Sequence, residues 1–429
     1  MKKLLIGVVV VVLAAAYFGA LFTAKSIAQD VFNQEIAKIN ETSPFKAVIA
    51  EQNDGLFATN VTIDLFDGND QEAALHLQQK LSYGPVLFTE EGFKLGWYFL
   101  GTDILPGASV RSDLPPGLNV DDLFDIYFFS GFSGAIEGDL YFKGIDFSDE
   151  NGSIAVAKAE LHVDTDVALK DLVVDANWPG FTFTDSRQRM ELQGVNLTVD
   201  QTLVTGEALA GTAIYSGEAS YSVNKFEMEQ GPMVMLMKDM MVKAITDVDP
   251  ADQNSMNLAI EMKAGEVSAS GQSFKDNSIN LYMNQLDIPV MQQLGEVSQK
   301  MQTAMATGMD ASGYNQQLMG LMMKLVQKGP SMELKDTQIG TPEGAIKAEM
   351  KVVVDANKID PKMPMSMMAA VDAKLDAEGP EAFFNKLGLA PMIDQYVQMN
   401  FVVKDNGTLR VNATFKDGMP MVNGQPMRM

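Results

Sequence analysis

The chain has no cysteine in 429 residues. That single absence removes disulfides, thiolate metal sites, iron–sulfur clusters and cysteine nucleophiles. It also removes the acylated cysteine of a diacylated lipoprotein. A chain of this length can build a core without disulfide staples. Histidine is nearly as scarce, with His76 and His162 in unrelated segments. Zinc enzymes and Ser/His/Asp hydrolases have little to draw on, and no serine sits in a nucleophile elbow. Positive charge is short as well. The formal net charge is −24, and no basic patch is present to neutralise phosphates. Nucleic acid is therefore excluded as a partner, and broad adhesion to an anionic bilayer surface is disfavoured.

Long apolar runs are absent except for one. Leu4 to Phe22 carries no charge and follows Lys2 and Lys3. As a helix it would span roughly 28 Å, close to a hydrocarbon core. The lysines favour a cytoplasmic N-terminus with the bulk of the chain on the far side. A cleaved signal peptide is the rival reading. It fits poorly, because cutting after Ala24 or Ala20 leaves Phe22 or Phe18 where a small residue is expected. Residues 1–24 are read as a membrane anchor. Residues 25–42 are read as a juxtamembrane helix, with Ile27, Val31, Phe32, Ile36 and Ile39 at helical spacing.

Beyond Pro44 the dominant period is two. Val61, Ile63 and Leu65 alternate with polar partners, as do Leu161 and Val163, Val195 to Val199, Leu258 to Met262, Ile279 to Met283, Ile346 to Val354 and Leu409 to Phe415. Strands with one apolar and one wet face are antiparallel in habit. Parallel enzyme cores of the Rossmann or barrel type, apolar on both strand faces, are disfavoured. Asn53-Asp54-Gly55, Glu150-Asn151-Gly152, Asp405-Asn406-Gly407 and Asp417-Gly418 supply hairpin turns. Helices are expected over Met233 to Ile245 after Pro232, over Pro289 to Lys328 with a break at residues 308–313, and in patches from Ser366 to Asn400. The expected fold class is an N-terminal transmembrane helix followed by a mainly β (α+β) domain. Its large curved antiparallel sheet would have helices packed in the C-terminal half. Aromatics dominate before residue 225 and methionine after it, which divides the chain into a β-rich part (43–225) and a methionine-rich α+β part (226–429).

The chemistry-bearing residues are few. His162 with Asp164 and Asp166 shares a strand face, and an exposed charged face is the ordinary reading. Asp121, Asp122, Asp125, Glu90 and Glu91 are candidate acids only as any acidic cluster is. Thirty methionines are the compositional outlier. Their helical spacing favours core packing over an adaptable apolar surface, and copper(I) ligation least of all. No cofactor and no metal is expected. Trp97, Phe128, Met237, Met301 and Met322 are the candidates for lining an apolar groove.

The chain resembles the DUF945, or YdgA-like, family of bacterial envelope proteins. The resemblance rests on the short apolar start, the polar helix after it, and the motif Gly55-Leu56-Phe57. Tyr83-Gly84-Pro85 stands where the family has His-Gly-Pro, so a role for that histidine does not transfer. Near the C-terminus Asp417, Gly418, Asn423 and Gly424 match the family pattern, and two tight turns account for them structurally. The strand-rich middle is similar in texture to AsmA-like envelope proteins. The resemblance implies an inner-membrane protein with its domain in the periplasm and no accepted reaction. The expectation is a non-enzymatic protein that binds lipid or an apolar envelope partner. The alternatives are a carboxylate-dependent envelope hydrolase and a homodimeric interaction module.

Overall fold

The structure, a computed structural model, describes Ile36, Asn40 and residues 45–427. Residues 56–57, 68–71, 84–85, 90–91, 113, 115–116, 167, 209–211, 270, 307–309 and 360–365 are outside that description. The expected anchor, Leu4 to Phe22, and most of the juxtamembrane helix lie outside the described residues. Among the described residues no helix is long and apolar enough to cross a membrane. The coarser part of the fold class is borne out: the chain is mainly β, with a large antiparallel sheet and few helices. The chain divides into two compact units. The first takes residues up to 186, with 194–203 and 302–310. The second takes 187–193, 204–301 and 311–429.

In the first unit the strands are β1 (Phe45–Asp54), β2 (Ala58–Asp67), β3 (Leu75–Tyr83), β4 (Val86–Thr89), β5 (Gly92–Pro106), β6 (Phe124–Gly131), β7 (Ala135–Phe142), β8 (Ile145–Ser148), β9 (Gly152–Val156), β10 (Ala159–Asp166) and β11 (Asp171–Asp185). They pair antiparallel in the order β1-β2-β3-β5-β6-β7-β10-β11-β9-β8, and β4 forms a hairpin on β5. A short helix, α1 (Ala108–Ser112), follows β5. Alternation sets one face inward. Val61, Ile63, Leu65, Leu77, Leu81, Leu100, Ile104, Ile126 and Phe128 form a single apolar cluster, and Ile36 packs against it. Asn40 pins the edge strand. Its amide donates to the Ala47 carbonyl at 3.0 Å and accepts from the Ala47 N–H at 2.7 Å. That occupies edge groups otherwise open to another chain.

β12 (Gln188–Thr205) has its central residues 194–203 in the first unit. The second unit holds β13 (Ile214–Gln230), β14 (Met233–Val248), β15 (Ser255–Ala269), β16 (Gln272–Asp287), β17 (Ser331–Thr341), β18 (Gly344–Val354), β19 (Val371–Pro380), β20 (Val403–Asp405), β21 (Thr408–Lys416), β22 (Met419–Val422) and β23 (Gln425–Pro426). They run antiparallel in the order β13-β14-β15-β16-β17-β18-β19-β21-β22-β23, with β20 also on β21. Between β16 and β17 come α2 (Ile288–Ala306) and α3 (Ser312–Val326). After β18 come α4 (Ser366–Ala370), α5 (Glu381–Lys386) and α6 (Ala390–Gln398). β16 passes directly into α2, because Asp287 caps it. The Val290 N–H donates to Asp287 Oδ1 at 2.9 Å, and Pro289 suits the first turn. Leu318, Leu321 and Leu325 of α3 and Val290, Leu294 and Val297 of α2 pack with Met256, Leu258 and Met283 into a second apolar cluster.

One expected helix and part of the expected helical region Ser366 to Asn400 are strands, while α4, α5 and α6 bear out the rest of that region. Met233 to Ile245 lies in β14, opposite β13 and β15. Asp239 there is left-handed (φ 51°). Such a residue takes up one position without advancing the pleat, so the apolar series Met235, Met237, Met240, Val242 skips by three and imitates helical spacing. Pro232 belongs to the β13–β14 turn. Residues 371–380 form β19, in which Val371, Ala373, Leu375 and Ala377 alternate with charged partners between β18 and β21. The Pro289–Lys328 expectation holds as the two helices α2 and α3; the expected break includes residues 307–309, which lie outside the described residues.

Candidate functional site

The second unit's sheet has unlike faces. On the charged face Glu333, Lys351 and Lys374 stand in one cross-strand row and Lys347, Glu378 and Arg410 in another. The Glu333 carboxylate is buried between Lys335 and Lys351. Their hydrogen bonds and charge hold it below the usual glutamate range, against the opposing effect of burial. Arg410 Nε reaches Glu378 at 3.4 Å. A shallow cleft of about 430 Å³ on this face is lined by Glu349, Asp376, Arg410, Asn412 and Asn423 among others. Its charges mostly answer one another.

The apolar face is different. Ala219, Ala244, Ile260, Leu281, Leu334, Met350, Leu375 and Ala413 form one continuous row across eight strands. The helices cover its Met256–Met283 end. The next row, Tyr221, Val242, Met262 and Ile279, is left open among the described residues. Register sets these four side by side, and they are 42, 37, 37 and 37 % exposed. Beyond the left-handed residues Asp239 and Asp276 the series resumes as Phe226, Met237, Val267 and Phe274. Gly265 lies beside Asp239, and a Cβ there would sit 2.9 Å from the Asp239 carboxylate, which explains the glycine. Helix α3 adds a second apolar side. Opposite its buried leucines it exposes Met319, Met322 and Met323.

The first unit carries its own open patch. Phe93, Leu95 and Trp97 alternate along β5, with Val86 opposite Leu95. All four are exposed, Phe93 at 71 %. Trp97 meets Phe132 edge-on at 5.1 Å, and its indole N–H donates to the Phe132 carbonyl at 3.3 Å. A register shift at Gly96 re-aims the strand, and a Cβ on Gly96 would lie 2.4 Å from the Ser130 carbonyl oxygen.

The five groove candidates are thus dispersed. Trp97 is on the exposed hairpin and Phe128 is inside the first core. Met237 is half-buried in the sheet row, Met301 is half-buried on α2, and Met322 is exposed on α3. Sequence reading passed over Tyr221, Val242, Phe93 and Leu95. The alternation at 93, 95 and 97 was the available signal for the hairpin. Of the family-motif residues, Phe57, Gly84 and Pro85 lie outside the described residues. The Gly55 N–H donates to the Ala58 carbonyl at 2.8 Å in the β1–β2 turn. Asp417-Gly418 (φ 51°, 78°) and Asn423-Gly424 (φ 48°, 77°) make left-handed hairpin turns. Asn423 also accepts from the Asn412 N–H at 3.0 Å and donates to the Asn400 carbonyl at 2.9 Å, tying the terminal hairpin to the segment after α6.

Glu90 and Glu91 lie outside the described residues, and among the described residues the other polar candidates form no reaction centre. His162 Nδ1 lies 2.7 Å from Asp139 and Nε2 3.2 Å from Asp164, and the Asp139 hydrogen bond in particular raises its pKa. His76 bonds Asp64 at 2.7 Å. Carboxylate oxygens of Asp103, Asp122 and Asp125 converge within 4.8 Å. Lys143 Nζ answers Asp122 at 2.7 Å and Asp125 at 2.9 Å, so a cation of the chain already sits there. Among the described residues, each carboxylate with a displaced pKa lies below its ordinary value, whereas a general acid needs one raised.

These features define a class: an antiparallel β protein whose second unit has a sheet charged and largely self-neutralised on one face, apolar and partly open on the other. The chain belongs to a family of bacterial proteins of unknown function, DUF945, whose model matches residues 1–429. No curated protein and no solved structure matches it.

Proposed function

We propose that this is a non-enzymatic, membrane-anchored binding protein of the bacterial envelope, which holds an acyl chain or similar apolar ligand against the second unit's open sheet face. The observation that carries this reading is the open row Tyr221, Val242, Met262 and Ile279, with the half-buried apolar row Ala219, Ala244, Ile260 and Leu281 on one side and Val223, Met240, Ala264 and Asn277 on the other. An apolar surface left open in a folded chain marks a contact surface. Flexible methionine side chains at Met237 and Met262 suit chains of varied shape. The lysine-led apolar run Leu4 to Phe22 supports anchoring in the inner membrane with the domain in the periplasm.

Native mass spectrometry of the full chain, released from detergent, tests this. Stoichiometric co-purified phospholipid or glycolipid is expected, and it should be depleted in a Val242→Lys, Met262→Lys variant that remains folded. A wild-type mass without lipid overturns the reading. The Phe93–Leu95–Trp97–Phe132 patch favours a second reading, a homodimer or protein-docking module. A sedimenting dimer that Trp97→Ser converts to monomer would establish it.

A further inference from the structure

We propose that the outer face of the first unit carries a binding cleft for a neutral saccharide, separate from the apolar surfaces and independent of the lipid reading. A cleft of about 650 Å³ opens there over β1, β2, β3, β5 and β6. That is the size of a small-ligand pocket, for which roughly 300–1,000 Å³ is usual. Its floor is the backbone at Val61, Gln79 and Thr102, whose side chains alternation turns toward the core. Its walls come from two cross-strand rows on the opposite face. One is Thr62, Gln78 and Asp103. The other is Asn60, Lys80, Gly101 and Tyr127.

The chemistry of these walls selects the ligand class. The side chains of Asn60, Gln78 and Lys80 make no hydrogen bond or ion pair among the described residues. The two amides each offer donors and an acceptor, which is what vicinal hydroxyls require, and Lys80 adds donors alone. Glu51, whose Oε1 already accepts from Asn53 at 2.8 Å, and Asp103 supply further acceptors at the rim. One side is aromatic, with the Phe99 and Tyr127 rings stacked at 5.7 Å and 18°. Gly101 leaves the space between Lys80 and Tyr127 empty of side chain. A Cβ there would sit 3.8 Å from both rings.

Hydroxyl-matching amides beside an aromatic wall and a bare glycine floor suit a ring with polar edges and an apolar face. A pyranose is such a ring. Two carboxylates against one lysine disfavour an anion. An acyl chain would leave the amides desolvated and unpaired. A bare cation would gain nothing from the aromatic rim beyond one ring face.

Saturation-transfer NMR on the full chain tests the proposal, with the protein held in a detergent that has no sugar headgroup. The probes are maltotetraose and the tetramer of N-acetylglucosamine. The expected result is transfer to the ring C–H protons of at least one probe. Loss of the hydrogen bonds in an Asn60→Ala, Gln78→Ala variant should weaken binding by about five-fold or more. Gly101→Leu, which fills the floor, should abolish it. Both amides are exposed, so the double variant keeps the test valid if Gly101→Leu fails to fold. No transfer to either probe overturns the proposal. So does transfer undiminished in the double variant.

Discussion

Removing polarity from the first unit's core should stabilise it. Gln79 and Thr102 are cross-strand partners, 3 and 2 % exposed. Their same-face neighbours are Val61, Leu77, Leu81 and Ile126. Among the described residues neither Gln79 amide atom nor Thr102 Oγ1 has a hydrogen-bond partner. A buried unpaired polar group costs about 1–3 kcal/mol, and replacing it by an apolar group of similar shape recovers that cost. Gln79→Met and Thr102→Val are near-isosteric. We expect gains of about 2 kcal/mol and about 1 kcal/mol, and less than the sum in the double variant because the residues touch. Urea unfolding read by tryptophan fluorescence is the assay, since Trp97 and Trp178 both belong to the first unit. With a slope of roughly 2 kcal/mol per molar, Gln79→Met should move the midpoint up by about 1 M. An unchanged or lower midpoint would refute the reasoning. It would mean that a group outside the chain, such as a buried water, pairs with the amide in solution.

Other outcomes follow from particular contacts. Protonated His162 bonds Asp139 and Asp164, which raises its folded pKa above the ordinary 6.5. Its stabilisation is therefore complete below about pH 6.5 and fades as pH rises through the folded value. At a half-exposed pair this amounts to less than about 1 kcal/mol. The Cε1 proton titration, with two histidines in the chain, should show the raised value fall in Asp139→Asn, with Asp164 keeping part of the increase. Glu333 works in the opposite sense. Its depressed pKa makes its contribution present above about pH 4.5 and lost as acid protonates it, so Glu333→Gln should flatten the acid limb of a pH–stability curve followed by circular dichroism. Gly424→Ala at φ 77° should cost about 1 kcal/mol from backbone strain alone, since a Cβ there meets nothing. Asn423→Ala should cost more, because two hydrogen bonds go with it, and hydrogen exchange along β21 would rank the two. Met319→Lys with Met322→Lys should leave thermal unfolding within about 0.5 kcal/mol of wild type, because both side chains are exposed.

The alternation at Val61–Leu65, Ile346–Val354 and Leu409–Phe415 was enough to read antiparallel strands, and the Asn-Gly and Asp-Gly turns placed the terminal hairpins. The apolar spacing from Pro289 to Lys328 marked a helical region without any tertiary information. What failed was periodicity across a left-handed residue. One step at Asp239 turned a two-residue period into apparent helical spacing, and nothing local to the sequence announces that φ. The row Tyr221, Val242, Met262 and Ile279 was illegible for a different reason. Each member comes from a separate strand, and only register brings them together. The saccharide cleft has the same origin, since Asn60, Gln78 and Gly101 are remote in sequence.

If the second unit binds a ligand as proposed, the face of its sheet that would take it is decided by what each face has left to gain. On the charged face Glu333, Glu378, Asp376 and Arg410 already hold partners within the chain. A ligand there must break pairs to make pairs, and exposed ion pairs differ by little in water. On the apolar face four large side chains keep about two-fifths of their surface in water. Full burial of such a side chain is worth roughly 1.5–3 kcal/mol, so covering the remainder of all four supplies about 2–5 kcal/mol. One acyl chain laid along the row would collect that and, through its own buried methylenes at roughly 0.8 kcal/mol each, more. The same arithmetic would set the specificity of the proposed site. A ligand must be apolar along a length of four strands, about 14 Å at roughly 4.8 Å per strand spacing, which a membrane lipid tail meets and a single aromatic ring does not.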